Sequence, residues 1–239
     1  MAIQLPHEVA MFLNFCGVPY PDINEDHVRE LAGYVRTFAG DVRDAHSSAT
    51  DAVKDMAAVY AGSSYQQLLS TWGGMSRDNM EILDNACGVV AAALEVAAEV
   101  ITAVKTAVLA GLAALATSYA TAMAASVATA GFSAALGEAF RTAARRLCKA
   151  MLETLVVYIG AEVVSKAVEP LEDVVAGMLN RFAHAVLGVP APATPELRVE
   201  PEEVQHYAGA IEKFGDRMIG HVTDLADKLA TLDFSTQAG

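Results

Sequence analysis

The chain has 239 residues, a formal net charge of −13, an apolar fraction of 54% and a charged fraction of 19%. The acidic balance argues against a nucleic-acid binder, which needs a basic surface to meet phosphates, and against simple electrostatic docking to anionic lipid. The apolar fraction argues against a disordered chain, and the length suffices for one sizeable core or for a large domain with an appendage.

The first long element predicted is a helix that begins after Asp22 or Asn24, either of which can serve as its N-cap. Apolar residues follow at alternating spacings of three and four, and mostly charged residues fill the positions between them. This first seam consists of Val28, Leu31, Val35, Phe38, Val42, Ala45, Ala49, Ala52, Met56 and Val59. A long helix with such a narrow stripe is typical of a coiled coil or an elongated bundle.

A second seam with the same spacing follows a glycine-containing stretch, within which the bend can fall anywhere between Gly62 and Gly74. Its members are Met80, Leu83, Cys87, Val90, Leu94, Ala97, Ile101, Val104 and Val108. Two long seams joined by a bend predict an antiparallel helical hairpin. The fold class predicted is therefore all-α, an elongated antiparallel helical bundle built on this hairpin, and no run of alternating residues is long enough to predict a strand.

Residues 106–137 contain no charged residue, and the segment is long enough to span a bilayer. Of its 32 residues, 13 are alanine and only 8 are Leu, Val, Met or Phe, so its drive into hydrocarbon is small. Small residues also allow helices to approach closely. The composition favours a packed bundle helix over a membrane-inserting segment, and both interpretations stay open.

The rest of the chain predicts three further helices and one linker. A third helix covers residues 138–169 and ends at Pro170, and a fourth carries an apolar stripe from Leu171 to Ala185. The predicted domains are a helical bundle over residues 1–188, a proline-rich linker over 189–200 and an amphipathic helical segment over 201–239. That last helix either folds back onto the bundle or opens a second module.

The residues with reactive side chains do not form a recognisable site. Cys16, Cys87 and Cys148 are odd in number and far apart, which predicts small buried hydrophobes rather than disulfides or a zinc site. Glu203 and His206 form a single E-x-x-H, whereas a di-iron bundle needs two copies and further glutamates. No nucleophile elbow or phosphate-binding glycine loop occurs. The chain is predicted to be no enzyme, with no catalytic, cofactor-binding or metal-binding residue.

One short motif stands out, the Trp-x-Gly formed by Trp72, Gly73 and Gly74 between the two long seams. Glycine permits the backbone angles of a tight reversal, and the single tryptophan offers a flat surface with one N–H donor. We expect the motif at the turn of the hairpin, where the indole can cap the open end of the hairpin or fit a partner's groove. The alternative is a core tryptophan in a loop.

A long helix, Trp-x-Gly and a second long helix resemble the Trp-x-Gly family of type VII secretion substrates. The alanine-rich continuation and Arg145-Arg146-Leu147 are similar to the N-terminal WxG-like domain of actinobacterial polymorphic toxins, among them a mycobacterial channel protein with a C-terminal necrotizing toxin. The resemblance covers roughly residues 1–188. In that family a second signal, Tyr-x-x-x-Asp/Glu, follows the hairpin. Tyr158 and Glu162 match its letters, although Tyr158 also fits the apolar stripe of the third helix.

The resemblance implies a non-catalytic targeting and delivery module that pairs with a small helical WxG-type partner or with itself and is exported by the type VII secretion machinery. It implies a cytoplasmic protein that becomes secreted or enters the cell envelope by a leaderless route. The absence of Lys and Arg from the first seven residues, and so of the charged start of a Sec signal, fits that route. Cofactors and nucleic acid are not expected. The alternative is a membrane-inserting channel or translocation domain that delivers a C-terminal toxin.

Overall fold

A computed structural model describes residues 2–129, 134–161 and 198–234. Its α-helices are α1 (His7–Cys16), α2 (Glu25–Asp55), α3 (Ser63–Thr129), α4 (Ala134–Tyr158) and α5 (Pro201–Thr231). The only strands in these ranges, β1 (Tyr60–Ala61) and β2 (Arg198–Val199), are two residues long and pair antiparallel. The all-α prediction is confirmed.

The start of α2 follows the predicted capping chemistry. Asn24 is the cap, because its Oδ1 accepts hydrogen bonds from the backbone N–H groups of Asp26 at 3.1 Å and His27 at 3.3 Å. Glu25 and Asp26 place negative charge in the first turn, where the helix dipole favours it. Lys54 places positive charge in the last turn.

The turn between α2 and α3 lies at residues 56–62, so the prediction of a turn at Trp72-Gly73-Gly74 is wrong. A 3₁₀ turn, β1 and Gly62, whose φ is +135°, reverse the chain. The Tyr65 hydroxyl donates a 3.1 Å hydrogen bond to the Val53 carbonyl and so joins the two sides of the turn. Helix α3 then runs unbroken through Trp72, because two glycines weaken a helix by only about 1 kcal/mol each and packing outweighs that cost.

The molecule divides into two compact units. The described part of the first unit comprises residues 2–30, 93–129, 134–161 and 233–234, and that of the second comprises 31–92 and 198–232.

The core of the first unit is formed by one face of α1, part of α3 and part of α4. It is built around Phe12, whose ring lies 5.6 Å from Tyr119 and 6.3 Å from Phe140 between centroids. The Arg141 Nε donates a 2.8 Å hydrogen bond to the Cys16 carbonyl and so holds α4 to the end of α1. After α5, the Phe234 carbonyl accepts a hydrogen bond from the Asn24 N–H at 2.6 Å.

The uncharged segment contributes to this core. Val108 and Leu112 are buried in it, and a Cβ built on Gly111 would lie 3.1 Å from a methyl group of Leu147. At Gly111, α3 and α4 are therefore in close contact. By length and composition α3 also contains a window that is able to cross a membrane, with a mean hydropathy of 1.9.

The three cysteines are free and buried, as predicted. Burial raises the pKa of the thiols of Cys16, Cys87 and Cys148 above the usual value. A raised thiol pKa keeps sulfur protonated and unreactive, so these side chains act as small hydrophobes.

The second unit contains the turn, most of α2, the first part of α3, and α5. The side of α2 that carries Val42, Ala49 and Val53 is almost completely buried. Helix α5 packs with a regular heptad seam whose members are all half-buried: Val204, Tyr207, Ile211, Phe214, Met218, His221, Leu225 and Lys228. Leu229, the neighbouring apolar residue, is 41% exposed, and Lys228 occupies the seam position. A lysine can do so because its aliphatic stem packs while its charge stays in water.

The predicted third helix begins earlier than expected, at Ala134, and its α-helical part is described to Tyr158. Three parts of the prediction lie outside the described residues: residues 162–169 of that helix, the predicted fourth helix over 171–185, and residues 189–197 of the predicted linker. Within the ranges that the structure describes, residues 198–199 of the predicted linker form β2.

Candidate functional site

Trp72 is the tenth residue of α3, and its side chain packs against α2. Its indole N–H donates a 3.1 Å hydrogen bond to the Thr50 hydroxyl. The imidazole of His46 is stacked on it, with ring centroids 5.7 Å apart and an interplanar angle of 3°. His46 and Thr50 are four residues apart on α2 and therefore share one face of the helix. These contacts hold the half-buried indole in one orientation.

Helix α5 covers this pair of rings. The ring of Phe214 meets Trp72 edge-on at 5.8 Å and 70°, and it meets His46 at 6.3 Å and 69°. Edge-to-face geometry at these distances is favourable for aromatic rings. We call His46, Thr50, Trp72 and Phe214 the tryptophan cluster. It brings together α2, α3 and α5 within the second unit.

The imidazole of His46 makes the cluster sensitive to pH. Burial lowers its pKa below the usual 6.5, because the charged form loses water on folding. The unfolded chain therefore takes up the proton more readily than the folded chain. The stability that neutral His46 contributes is complete above about pH 6.5 and is lost as the pH falls below that value.

We therefore expect the free energy of unfolding of the native chain to fall more between about pH 7.5 and pH 5 than that of His46→Phe, which keeps an aromatic ring but has no titratable group. Urea denaturation of both proteins at the two pH values measures the difference, and all other titratable groups are common to both. Equal losses in the two proteins would contradict the role given to His46.

The two motif glycines are exposed on α3, and their conformation does not require glycine. Among the described glycines only Gly17 and Gly62 have a positive φ, and a Cβ built on Gly73 or Gly74 would meet no atom within 4 Å. Gly111, in contrast, has Leu147 against it within the chain. The bare backbone at Gly73 and Gly74 therefore has no explanation inside the described part of the molecule.

Replacing either motif glycine should stabilise the isolated protein. Gly73→Ala and Gly74→Ala are each expected to raise the free energy of unfolding by about 0.5–1 kcal/mol, because alanine loses less backbone entropy in a helix. Gly111→Ala is the matched control and should gain less stability than the other two, since its Cβ would lie 3.1 Å from a methyl group of Leu147, which has to shift. Urea denaturation measures all three, and a loss of stability at Gly73 or Gly74 would mean that the chain itself uses the space.

A second polar cluster, in the first unit, was not predicted from the sequence. Lys105 is fully buried, and its Nζ lies 2.8 Å from Glu25 Oε2, 3.4 Å from Asp22 Oδ1 and 2.9 Å from the Ile23 carbonyl, to which it donates. The other carboxylate oxygen of Glu25 accepts the Ile3 N–H. Burial would raise the pKa of Glu25, but the hydrogen bonds from Lys105 and Ile3 outweigh it, and the pKa is lowered.

The cluster of Lys105, Glu25 and Asp22, which we call the lysine cluster, has a structural role. It fixes residues 3–25 against α3 with one buried cation and two carboxylates. The sequence held one signal for it, since Lys105 is the last charge before residues 106–137 and lies beside the seam position Val104. A charged side chain at that place either pairs with an opposite charge or points away from the seam into water, because burying an unpaired charge is costly.

No group of three or more His, Cys, Asp or Glu side chains that is able to hold a metal ion occurs in residues 2–129, 134–161 and 198–234. Glu203 and His206 both lie on the exposed side of α5.

A comparison with models of protein families shows to which family the chain belongs. A family model described as a WXG100 like domain matches residues 4–147, which is more than half of the 239 residues. The chain belongs to the WXG100-like family. No curated protein and no solved structure matches it. The expected resemblance to a WxG-like domain is confirmed.

WXG100-like proteins are helical, non-enzymatic and secreted by type VII systems, and they typically pair with helical partners or self-associate. The matched region contains both signature elements found here, the α2–α3 hairpin and Trp72. It ends in α4 at residue 147 and so covers less of the chain than the expected 1–188.

The second candidate signal of this WXG100-like chain is only partly described. Tyr158 is the last residue of α4, belongs to the first unit and is half-buried beside the exposed Val157. Its partner in the motif, Glu162, lies outside the described residues. Tyr158 and Glu162 therefore stay a prediction.

Proposed function

We propose that this WXG100-like chain is a non-catalytic targeting and delivery module for type VII secretion, part of an actinobacterial polymorphic toxin or of a related secreted effector. It acts by pairing its helices with a small WxG-type helical partner or with a second copy. The proposed protein is cytoplasmic before export and reaches the cell envelope or the exterior by a leaderless route. The proposed domains are the bundle over residues 1–188, the linker over 189–200 and the helical segment over 201–239.

The observation that carries the proposal is the position of the motif on a helix instead of in a turn. Trp72 is oriented by Thr50 and His46, while Gly73 and Gly74 beside it expose bare backbone to solvent. Small residues on a helix surface let another helix approach closely. A tryptophan next to such a place is a typical anchor for a protein partner.

Exposed apolar side chains elsewhere support helix pairing. On α1, Met11 is 61% exposed and Phe15 is 49% exposed, beside a groove of about 630 Å³ that is also lined by Ala116 and Tyr119 of α3. Grooves of this kind take up the apolar face of an amphipathic helix.

Export of variants from cells tests the proposed function. Trp72→Ala should abolish export and weaken a heterodimer formed on co-expression with a candidate partner, because the anchor is lost. Phe214→Ala is the matched control, since it removes ring contacts from the same cluster but leaves the motif intact. We expect it to be exported. Normal export of Trp72→Ala, with the protein folded by circular dichroism, would refute the proposal.

A second candidate function is a membrane-inserting channel or translocation domain that delivers a C-terminal toxin. The observation that favours it is the apolar window of α3, of which only 28% is buried. Leakage of a trapped dye from anionic liposomes at neutral and acidic pH tests it. Release that depends on this window, and is lost on Leu109→Asp, would support the channel, and intact liposomes at both pH values would exclude it.

A further inference from the structure

The face of the hairpin that carries Trp72 is occupied by a helix of the same chain. Helix α5 lies on it with a heptad seam, and three residues seven apart occupy one heptad position: Phe214, His221 and Lys228. Phe214 contacts the rings of Trp72 and His46. The next two residues of this series meet Asp41 and Tyr34 on α2.

These two contacts are electrostatic and lie at the margin of the face. His221 Nδ1 is 3.9 Å from Asp41 Oδ2, and Lys228 Nζ is 5.6 Å from the centre of the Tyr34 ring. Both are partly exposed to water, where ion pairs and cation–π contacts contribute little each. With the Phe214 contacts they describe the pattern that α5 presents to this face: an aromatic side chain, then a nitrogen-bearing side chain seven and fourteen residues later.

Helix α5 is held less firmly than the hairpin beneath it. Not one residue of α5 is fully buried, whereas Val42, Ala49 and Val53 on α2 are. Its N-terminal end is fixed by β2 and by the hydrogen bond from the Glu200 N–H to the Val59 carbonyl, at 3.0 Å. Segments with few buried apolar contacts open at lower free energy than the rest of a protein.

A further apolar row lies on the outer side of α5. Ile219 is 68% exposed and Val222 is 54% exposed, and with Leu229 they keep spacings of three and seven. These apolar side chains stay largely exposed to water where α5 lies. Helix α5 therefore buries only part of its apolar surface in its present position.

We propose that α5 is a displaceable cover over the Trp72 face, and that a partner helix of the same chemistry replaces it. The partner is an amphipathic helix with an aromatic residue on its seam and His, Lys or Arg seven and fourteen residues further on. The proposal rests on the proposed function above, in which Trp72 pairs with another helix. It adds that the motif is covered until α5 leaves.

A peptide with the sequence of residues 201–231 is the probe, because it carries the recognised pattern. Isothermal titration calorimetry measures its binding to the full chain. Wild-type protein should bind it weakly, since its own α5 competes at high effective concentration. Phe214→Ala in the full chain should bind it at least about tenfold more tightly, while Val222→Ala, an exposed α5 position, should bind like wild type. A Phe214→Ala peptide should bind neither protein.

A lock gives the converse test. Asp41→Cys with His221→Cys places one thiol on each helix where the two side chains now approach to 3.9 Å. Because cysteine is shorter than either side chain, a short thiol-reactive cross-linker with a cleavable disulfide joins the two positions. Cross-linked, this protein should take up no peptide, and reduction of the linker should restore uptake. Peptide binding that is equal in the locked and reduced forms would overturn the proposal, since the peptide would then bind elsewhere.

Hydrogen exchange on the wild-type chain covers the case in which Phe214→Ala does not fold. The amides of α5 should exchange through an opening that leaves those of α2 between residues 42 and 53 protected. Exchange of both helices only by global unfolding would overturn the proposal.

The oligomeric state distinguishes a different protein from a second copy. If the chain forms a concentration-dependent dimer that the peptide dissociates, the Trp72 face binds a second copy, and the proposal of a different partner protein is overturned. Loss of export in Trp72→Ala is independent of all these results, so the two proposals fail separately.

Discussion

Lys105→Met is expected to lower the free energy of unfolding by about 3–5 kcal/mol. The substitution keeps an unbranched side chain of similar length but removes the cation between Glu25 and Asp22. Glu25 is almost completely buried, so its carboxylate would lose the partner that offsets its desolvation. Urea denaturation followed by circular dichroism measures the loss.

The matched control is Lys149→Met. Lys149 lies 3.5 Å from Glu153 on α4, and both side chains are largely exposed, so this pair should contribute about 0.5 kcal/mol or less. Adding Glu25→Gln to Lys105→Met should recover part of the loss, because it removes the unpaired charge. Equal effects of the two lysine substitutions would show that Lys105 is solvated in the folded protein.

Phe12→Ala is expected to cost about 3–5 kcal/mol of stability, the usual range for removing a buried phenylalanine ring. Phe12 is 3% exposed and contacts the rings of Tyr119 and Phe140. Helix α1 has only ten residues, too few to be stable without its packing, so the loss of this ring should also release α1.

Met11→Ala is the control for Phe12→Ala, because it shortens the neighbouring side chain of α1, which is 61% exposed. We expect a change within about 0.5 kcal/mol. Urea denaturation of both variants gives the comparison, and hydrogen exchange of residues 7–16 shows whether α1 is released. A small loss for Phe12→Ala with α1 still protected would contradict the position of the ring in the core.

The parts of the fold that depend on local sequence were predictable. The Asn24 cap and the helical character of α2 and of residues 201–231 follow from side-chain chemistry and spacing. The turn lies earlier in the chain than the Trp72-Gly73-Gly74 motif predicts, because the glycine pair does not break the helix. In a long helix whose tryptophan is packed against α2, the cost of two glycines is too small to end the helix.

The parts that depend on distant contacts were not predictable. Lys105 and Glu25 are 80 residues apart, and nothing in the spacing of either indicates that they meet. The contact between Phe214 and Trp72 joins residues 142 positions apart in the sequence. Sequence reasoning identified Trp72, Gly73 and Gly74 as the motif, but it could not show which side of the hairpin is occupied.

The stacking of His46 on Trp72 gives the protein a built-in optical reporter. The indole is the single tryptophan of the chain, so excitation near its absorption edge observes one site. Its emission maximum should shift to the red when Phe214 withdraws and water reaches the ring, and protonation of the stacked imidazole should quench it. The purified, unlabelled molecule can thus be followed in real time while a candidate ligand is added.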